Sequence, residues 1–162
     1  MKTFAAAAFA AIATADQSDF PADAWNHAGC HMTVTFPSAS CETLYVSMDT
    51  EIRSWNPEPL DTPGYYSVYE EEDDVYIWSQ RLTYNQKYMD DQLFDFADNG
   101  AGCTITAKSR SETVSMLDNC VNYCNMWNVF NGVSQTNGPF TIDNVSHCSQ
   151  TPDDAATTCA RY

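Results

Sequence analysis

Seven cysteines, Cys30, Cys41, Cys103, Cys120, Cys124, Cys148 and Cys159, set the first limit on how this chain folds. An oxidising compartment favours pairing such cysteines. Three bonds are then the maximum, one thiol is left over, and distant stretches must lie side by side. Roughly a hundred pairings are open to seven cysteines. Loop length favours Cys148 with Cys159, because the segment between them is rich in Ser, Thr, Asp and Pro and has too little apolar content to fold without a staple. Cys120 and Cys124 are one helical turn apart, and a bond between them would constrain little. Each therefore reaches elsewhere or is the odd thiol. The bridged set is taken as Cys30, Cys41, Cys103, Cys124, Cys148 and Cys159, with the free cysteine left open.

The start of the chain points to the same compartment. Residues 1–15, MKTFAAAAFAAIATA, combine a lysine, an uncharged apolar run and a small-x-small cleavage site, the pattern of a secretory signal peptide. The run is too short to span a bilayer, and no later stretch approaches the roughly 18 apolar residues a span needs. A secreted, extracellular protein without a membrane span is expected. Cleavage would remove Lys2 and leave six basic residues against 22 acidic ones. That field repels phosphate backbones and anionic membranes, so nucleic acid is excluded as a partner. A chain of 162 residues with 44% apolar content suits one core. The expected division is signal peptide 1–15, polar leader 16–29, a single α+β domain over 30–132 and a disulfide-tethered loop region over 133–162.

Periodicity supplies the elements. Residues 31–36 alternate, with Met32, Val34 and Phe36 on one side, as a half-buried strand does. Residues 41–55 carry Cys41, Leu44, Tyr45, Met48, Ile52 and Trp55 at helical spacing, after Ser38 or Ser40 as cap and before a stop at Asn56-Pro57. The runs 64–69 and 75–82 form a hairpin whose acidic connection, 70–74, stays in water. Further strands are expected over 92–96 and 103–111. A long helix then carries Leu117, Cys120, Val121, Cys124 and Trp127 on one face, and ends at Asn131-Gly132. A short edge strand fits 140–142. The order strand, helix, four antiparallel strands, helix predicts an α+β fold with a curved sheet packed on its helices, in a helix-grip or TATA-binding-protein-like arrangement stabilised by disulfides.

Chemistry-bearing residues are sparse. Asp90, Asp91, Asp95 and Asp98 surround one strand; acid/base work is conceivable for them, but a solvated face is the expected role. Ser109, Arg110 and Ser111 precede Asp118, Asn122 and Asn125, and an Arg110–Asp118 pair would tie strand to helix or hold an anion. No metal or cofactor is expected, since there is no C-x-x-C pair and His27, His31 and His147 show no paired spacing. Neither G-x-S-x-G nor H-E-x-x-H occurs. Aromatics crowd the hairpin: Tyr65, Tyr66, Tyr69, Tyr76, Trp78, Tyr84 and Tyr88. Alternation sends about half of them outward; ordinary sheet packing with shielding of an edge is the expected role, and recognition at a wet surface is the alternative. Asn144-Val145-Ser146 is an N-glycosylation sequon.

The segment ADNGAGCTITAKSRS, followed by MLDNCVNYCNMWNVFNG, resembles small secreted, cysteine-containing proteins encoded in algal genomes. The similarity lies in the D-N-G-x-G-C turn at 98–103, the S-x-S strand end, the Asn122-Tyr123-Cys124-Asn125 helix and the late pair Cys148 and Cys159. The resemblance implies secretion and this fold, and carries no activity. Three functions follow as expectations. The first is a noncatalytic binding or matrix-associated protein taking a small apolar ligand, a glycan or an extracellular protein, with Trp78, Ile105, Leu117, Trp127, Tyr66 and Tyr76 as ligand-binding candidates. The second is a small hydrolase using the acids or a histidine. The third is a structural wall or mineral-interface protein.

Overall fold

The computed structural model describes residues 16–55, 64–83 and 87–162. The signal-peptide assignment, the helix stop at Asn56-Pro57 and the hairpin aromatic Tyr84 lie outside the described residues. After a short 3-10 turn at Gln17–Asp19, the elements are β1 (Gly29–Phe36), α1 (Cys41–Ser54), β2 (Gly64–Glu72), β3 (Tyr76–Thr83), β4 (Met89–Asp98), β5 (Cys103–Ser111), α2 (Val121–Asn137), β6 (Thr141–Ser146) and α3 (Ala155–Cys159). The protein is a mixed α/β structure with one curved sheet of six antiparallel strands, ordered β2-β3-β4-β5-β1-β6. From β2 to β5 the chain meanders through antiparallel neighbours, as close successive strands do, and β5 returns to pair with β1.

Each strand of the meander has an inner face toward α1 and α2 and an outer face. The inner apolar side chains, among them Met32, Val34, Phe36, Ile77, Phe94 and Ile105, join Leu44, Met48 and Ile52 of α1 and Met126, Val129, Phe130 and Val133 of α2 in one buried cluster. Ser40 caps α1 by accepting the Thr43 amide at 3.2 Å, which satisfies one of the free first-turn donors. A second, smaller cluster on the outer face gathers Tyr76, Trp78 and Leu93, with Phe20 of the leader packed on it.

Several boundaries differ from the periodicity. Helix α2 begins only at Val121, with Cys120 at its N-cap in the left-handed conformation at φ 69°, so Leu117 precedes the helix. The helix also runs on past Gly132 to Asn137. Gly132 is not a stop signal: it lies inside α2 and faces the Glu51 side chain of α1. Strand β2 continues through the acidic run to Glu72, where Glu71 accepts from Arg53 at 2.7 Å. The pairing absorbs acids that the sequence assigns to a wet connection. The tail is not a loop region either. It supplies β6, bonded along β1, and α3 against α2.

The disulfides are Cys30–Cys148, Cys41–Cys103 and Cys124–Cys159, and Cys120 is the free thiol. The expected Cys148–Cys159 bond is not formed. Pairing of β6 with β1 sets His31 opposite Ser146 and carries Cys148 to Cys30, while α3 brings Cys159 to α2. Loop length was a poor guide because β6 imposes a longer-range order.

One backbone approach is tight enough to test. A Cβ on Gly102 would lie 2.1 Å from the Phe36 carbonyl oxygen and 2.9 Å from Pro37. Because backbone cannot swing aside as a side-chain tip can, Gly102→Ala is expected to cost about 1–3 kcal/mol, read as a lowered midpoint in urea unfolding.

Candidate functional site

The inner face of the sheet changes character partway along the strands. In β5, Cys103, Ile105 and Ala107 are followed on the same face by Ser109 and Ser111; in β4, Phe94 is joined by Gln92 and Asp90; in β3, Ile77 is joined by Ser79 and Arg81. The register lines these up. Ser79, Gln92 and Ser109 face one another across three strands, and so do Arg81, Asp90 and Ser111 in the next rung. All six are buried. Tyr66 of β2 extends the second rung beside Arg81. A Cβ on Gly64 would lie 2.7 Å from Arg81 Nε, so the absent side chain leaves the room that the guanidinium fills.

Helix α2 answers the polar rungs with its first turns. Asn122 and Asn125, three residues apart and both fully buried, share the face toward the sheet. Asn125 donates to Asp90 Oδ2 at 3.0 Å and to Ser109 Oγ at 3.3 Å. Asn122 accepts from Ser109 at 2.8 Å and donates to Ser111 at 3.1 Å and to Asp118 at 2.7 Å. Ser111 donates to Asp90 Oδ1 at 2.7 Å, and Arg81 Nη1 lies 3.7 Å from Asp90 Oδ2. Buried atoms of this network, among them Tyr66 Oη, Gln92 Nε2 and Asn125 Oδ1, have no hydrogen-bond partner among the described residues. Each such group costs about 1–3 kcal/mol, a cost that a fold-stabilising core avoids and a binding site tolerates.

The network opens to solvent at the Asp90 rung. A pocket of about 380 Å³ has Asp90, Ser111 and Asp118 in its lining together with Tyr88, Leu117 and Tyr162. Its lip is apolar and exposed: Val114, Met116 and Leu117 are 70%, 67% and 70% accessible. The lip loop is anchored by the leader, since Ser115 donates its amide to Asn26 O at 2.9 Å and His27 Nδ1 lies 2.9 Å from Ser111 O. On the far wall, Tyr162 donates its hydroxyl to Asn119 O at 2.9 Å.

Burial raises the Asp90 carboxyl above its ordinary value, against the opposing hydrogen bonds from Ser111 and Asn125 and the charge of Arg81. Tyr66 is pushed up to about 12, first by burial. Cys120 is also raised, by burial and then by Asp118, so its thiol is not activated as a nucleophile.

A second, more open cleft of about 450 Å³ lies under the leader on the outer face, lined in part by Gln17, Phe20, Asp23, His31, Asp95 and Lys108. There His31 Nε2 sits 3.0 Å from Asp23 Oδ1, and its ring is 4.9 Å from that of His147. Asp95, bonded to Gln17, is raised chiefly by burial.

The structure separates the ligand-binding candidates read from the sequence. Tyr66 and Ile105 are inside the main core, Trp127 packs at its edge, Tyr76 and Trp78 lie on the outer face under Phe20, and Leu117 is on the pocket lip. They do not line one cavity. The solvated-acid expectation fails for two residues: Asp90 and Asp91 are each 2% exposed. Asp91 points outward but is covered, accepting from Trp78 Nε1 and Gln80 Nε2 at 3.0 Å each. Arg110 makes no ion pair with Asp118, because it faces outward while Asp118 bonds Asn122 and Cys120 on the inner side. Asn144 is exposed on the edge strand β6. Among the described residues no group of acids, histidines and cysteines is arranged to hold a metal, and no helix is long and apolar enough to cross a membrane. The chain matches no protein-family model and no curated sequence.

The pKa directions carry a stability consequence. An acid raised by folding keeps its proton in the native state after the unfolded chain has lost it, so stability falls as pH rises from the unfolded value. Asp90, Asp95, Glu51 and Glu112 are all raised, each mainly by burial. Unfolding free energy is therefore expected to decline from mildly acidic pH toward neutral, and Asp90→Asn to flatten that decline; urea titrations across the range measure both.

Proposed function

We propose that the protein is a secreted, disulfide-stabilised binding protein whose ligand enters the pocket between the 112–120 loop and the C-terminal tyrosine, with its polar end at Asp90, Ser111 and Asp118. The observation that carries this is the meeting of an apolar, exposed lip with a buried polar network that is incomplete in its own hydrogen bonding. A concave, mostly apolar site with a few convergent polar groups is the usual form of a small-molecule site. The ligand has an apolar body and a polar head. The cysteine pairing, the 1–15 leader and the resemblance to secreted algal proteins support secretion, and exposed Asn144 would then be open to glycosylation.

A hydrolytic role is the alternative, favoured by the His31–Asp23 pair in the leader cleft. Its weak point is the nucleophile. Ser18, in the same cleft, donates its hydroxyl to Asp16 rather than to His31.

Native mass spectrometry of the protein secreted by its own source separates the two. A binding protein is expected to carry an added mass that is lost on denaturation and reduced in Leu117→Ala, with His31→Ala unaffected. Release of the bare chain, with hydrolysis of a chromogenic ester abolished by His31→Ala, would overturn the binding assignment.

A further inference from the structure

We propose that the pocket takes a cationic amine: an ammonium head held by the carboxylates of Asp118 and Asp90, with an apolar or aromatic body against Tyr88, Leu117 and Tyr162. This rests on the pocket being the binding site, and adds the chemical class of what it binds.

The charge of the lining is one-sided. Asp90 and Asp118 belong to it, and no described lysine, arginine or histidine does. Arg81 lies behind Asp90 and offsets part of one charge without reaching the lining. Both carboxylates are held from behind: Asp90 by Ser111 and Asn125, and Asp118 by the Asn122 amide and side chain and by the Cys120 amide at 3.2 Å. An ionised carboxylate offers about four acceptor positions, so each keeps capacity beyond these bonds.

What the pocket itself presents at its polar end is the pair of carboxylates, which when ionised are acceptors only. An ammonium group has three donors and no acceptor. An alcohol would bring one donor and turn its own lone pairs toward carboxylates, and an anion would meet like charge. The aromatic ring of Tyr88 suits a cation further, through the negative face of the ring, while that of Tyr162 already has the Arg161 guanidinium 5.0 Å from its centroid.

The test compares three probes with one body and different heads: phenethylamine, phenethyl alcohol and phenylacetate, titrated into the intact oxidised protein by calorimetry and by amide NMR. Phenethylamine is expected to bind about tenfold or more tightly than the alcohol, to shift the resonances of Tyr88, Leu117 and Tyr162, and to weaken as salt is raised. Phenylacetate should not bind. In Asp118→Asn, which keeps one oxygen for the two Asn122 donors and gives up the Cys120 bond to the other, the amine should lose its advantage while the alcohol is unchanged. The salt series on the wild type supplies an independent answer if that variant does not fold. An alcohol that binds as tightly as the amine at these residues would overturn the amine assignment and leave the pocket standing. No shift at these residues with any of the three would overturn both.

Discussion

The register between β3, β4 and β5 is the constraint on which the rest depends. It stacks Arg81, Asp90 and Ser111 in one rung and Ser79, Gln92 and Ser109 in the next, all on the face that α2 covers. A slip of one residue in any of the three strands would turn its polar pair outward and bring its outer-face side chains under the helix. With the register set, α2 has no choice of face. Asn122 and Asn125 must meet the polar rungs, and Val129, Phe130 and Val133 the apolar ones. The pocket exists because this network reaches the end of the sheet where the chain leaves β5 for α2.

Stability and recognition are divided between the two ends of the inner face. The apolar end carries the buried aromatic contacts, such as Phe94 edge-on to Phe130 at 5.7 Å, and the Cys41–Cys103 bond. The polar end buries charged and amide groups, which seldom improve on apolar packing, and leaves atoms such as Tyr66 Oη, Gln92 Nε2 and Asn125 Oδ1 without a hydrogen-bond partner among the described residues. Cys30–Cys148 and Cys124–Cys159 hold β1 and α2 near that end. Crosslinks that limit the unfolded chain by a few kcal/mol each can offset such a core.

Much of the scaffold was legible in the sequence, and the site was not. Helix α1 and strands β1 and β5 follow directly from spacing at Leu44, Met48 and Ile52, at Met32, Val34 and Phe36, and at Cys103, Ile105 and Ala107. The polar rungs were missed because polar residues in an alternating strand are ordinarily taken as outward. The signal was present in the phase: carrying the alternation of Ile105 and Ala107 onward puts Ser109 and Ser111 inside, and carrying Phe94 backward does the same for Gln92 and Asp90. Grouping Ser109 and Ser111 with Asp118, Asn122 and Asn125 anticipated half of the network. Asp90 and Arg81 were beyond reach, since only the register of three strands joins them to it. The end of α2 was misplaced because a glycine after the last periodic residue reads as a stop, whereas here it sits inside the helix facing Glu51 and the helix runs on to Asn137.

If the polar rungs are retained for recognition and not for folding, an apolar replacement should leave the fold at least as stable. The direct measurement is the urea unfolding free energy of a variant carrying Arg81→Met, Asp90→Leu, Ser111→Ala and Asn125→Leu together. A value equal to or above that of the wild type is predicted. A loss of about 3–5 kcal/mol, the cost of breaking a buried charge network that stabilises the structure, would contradict it.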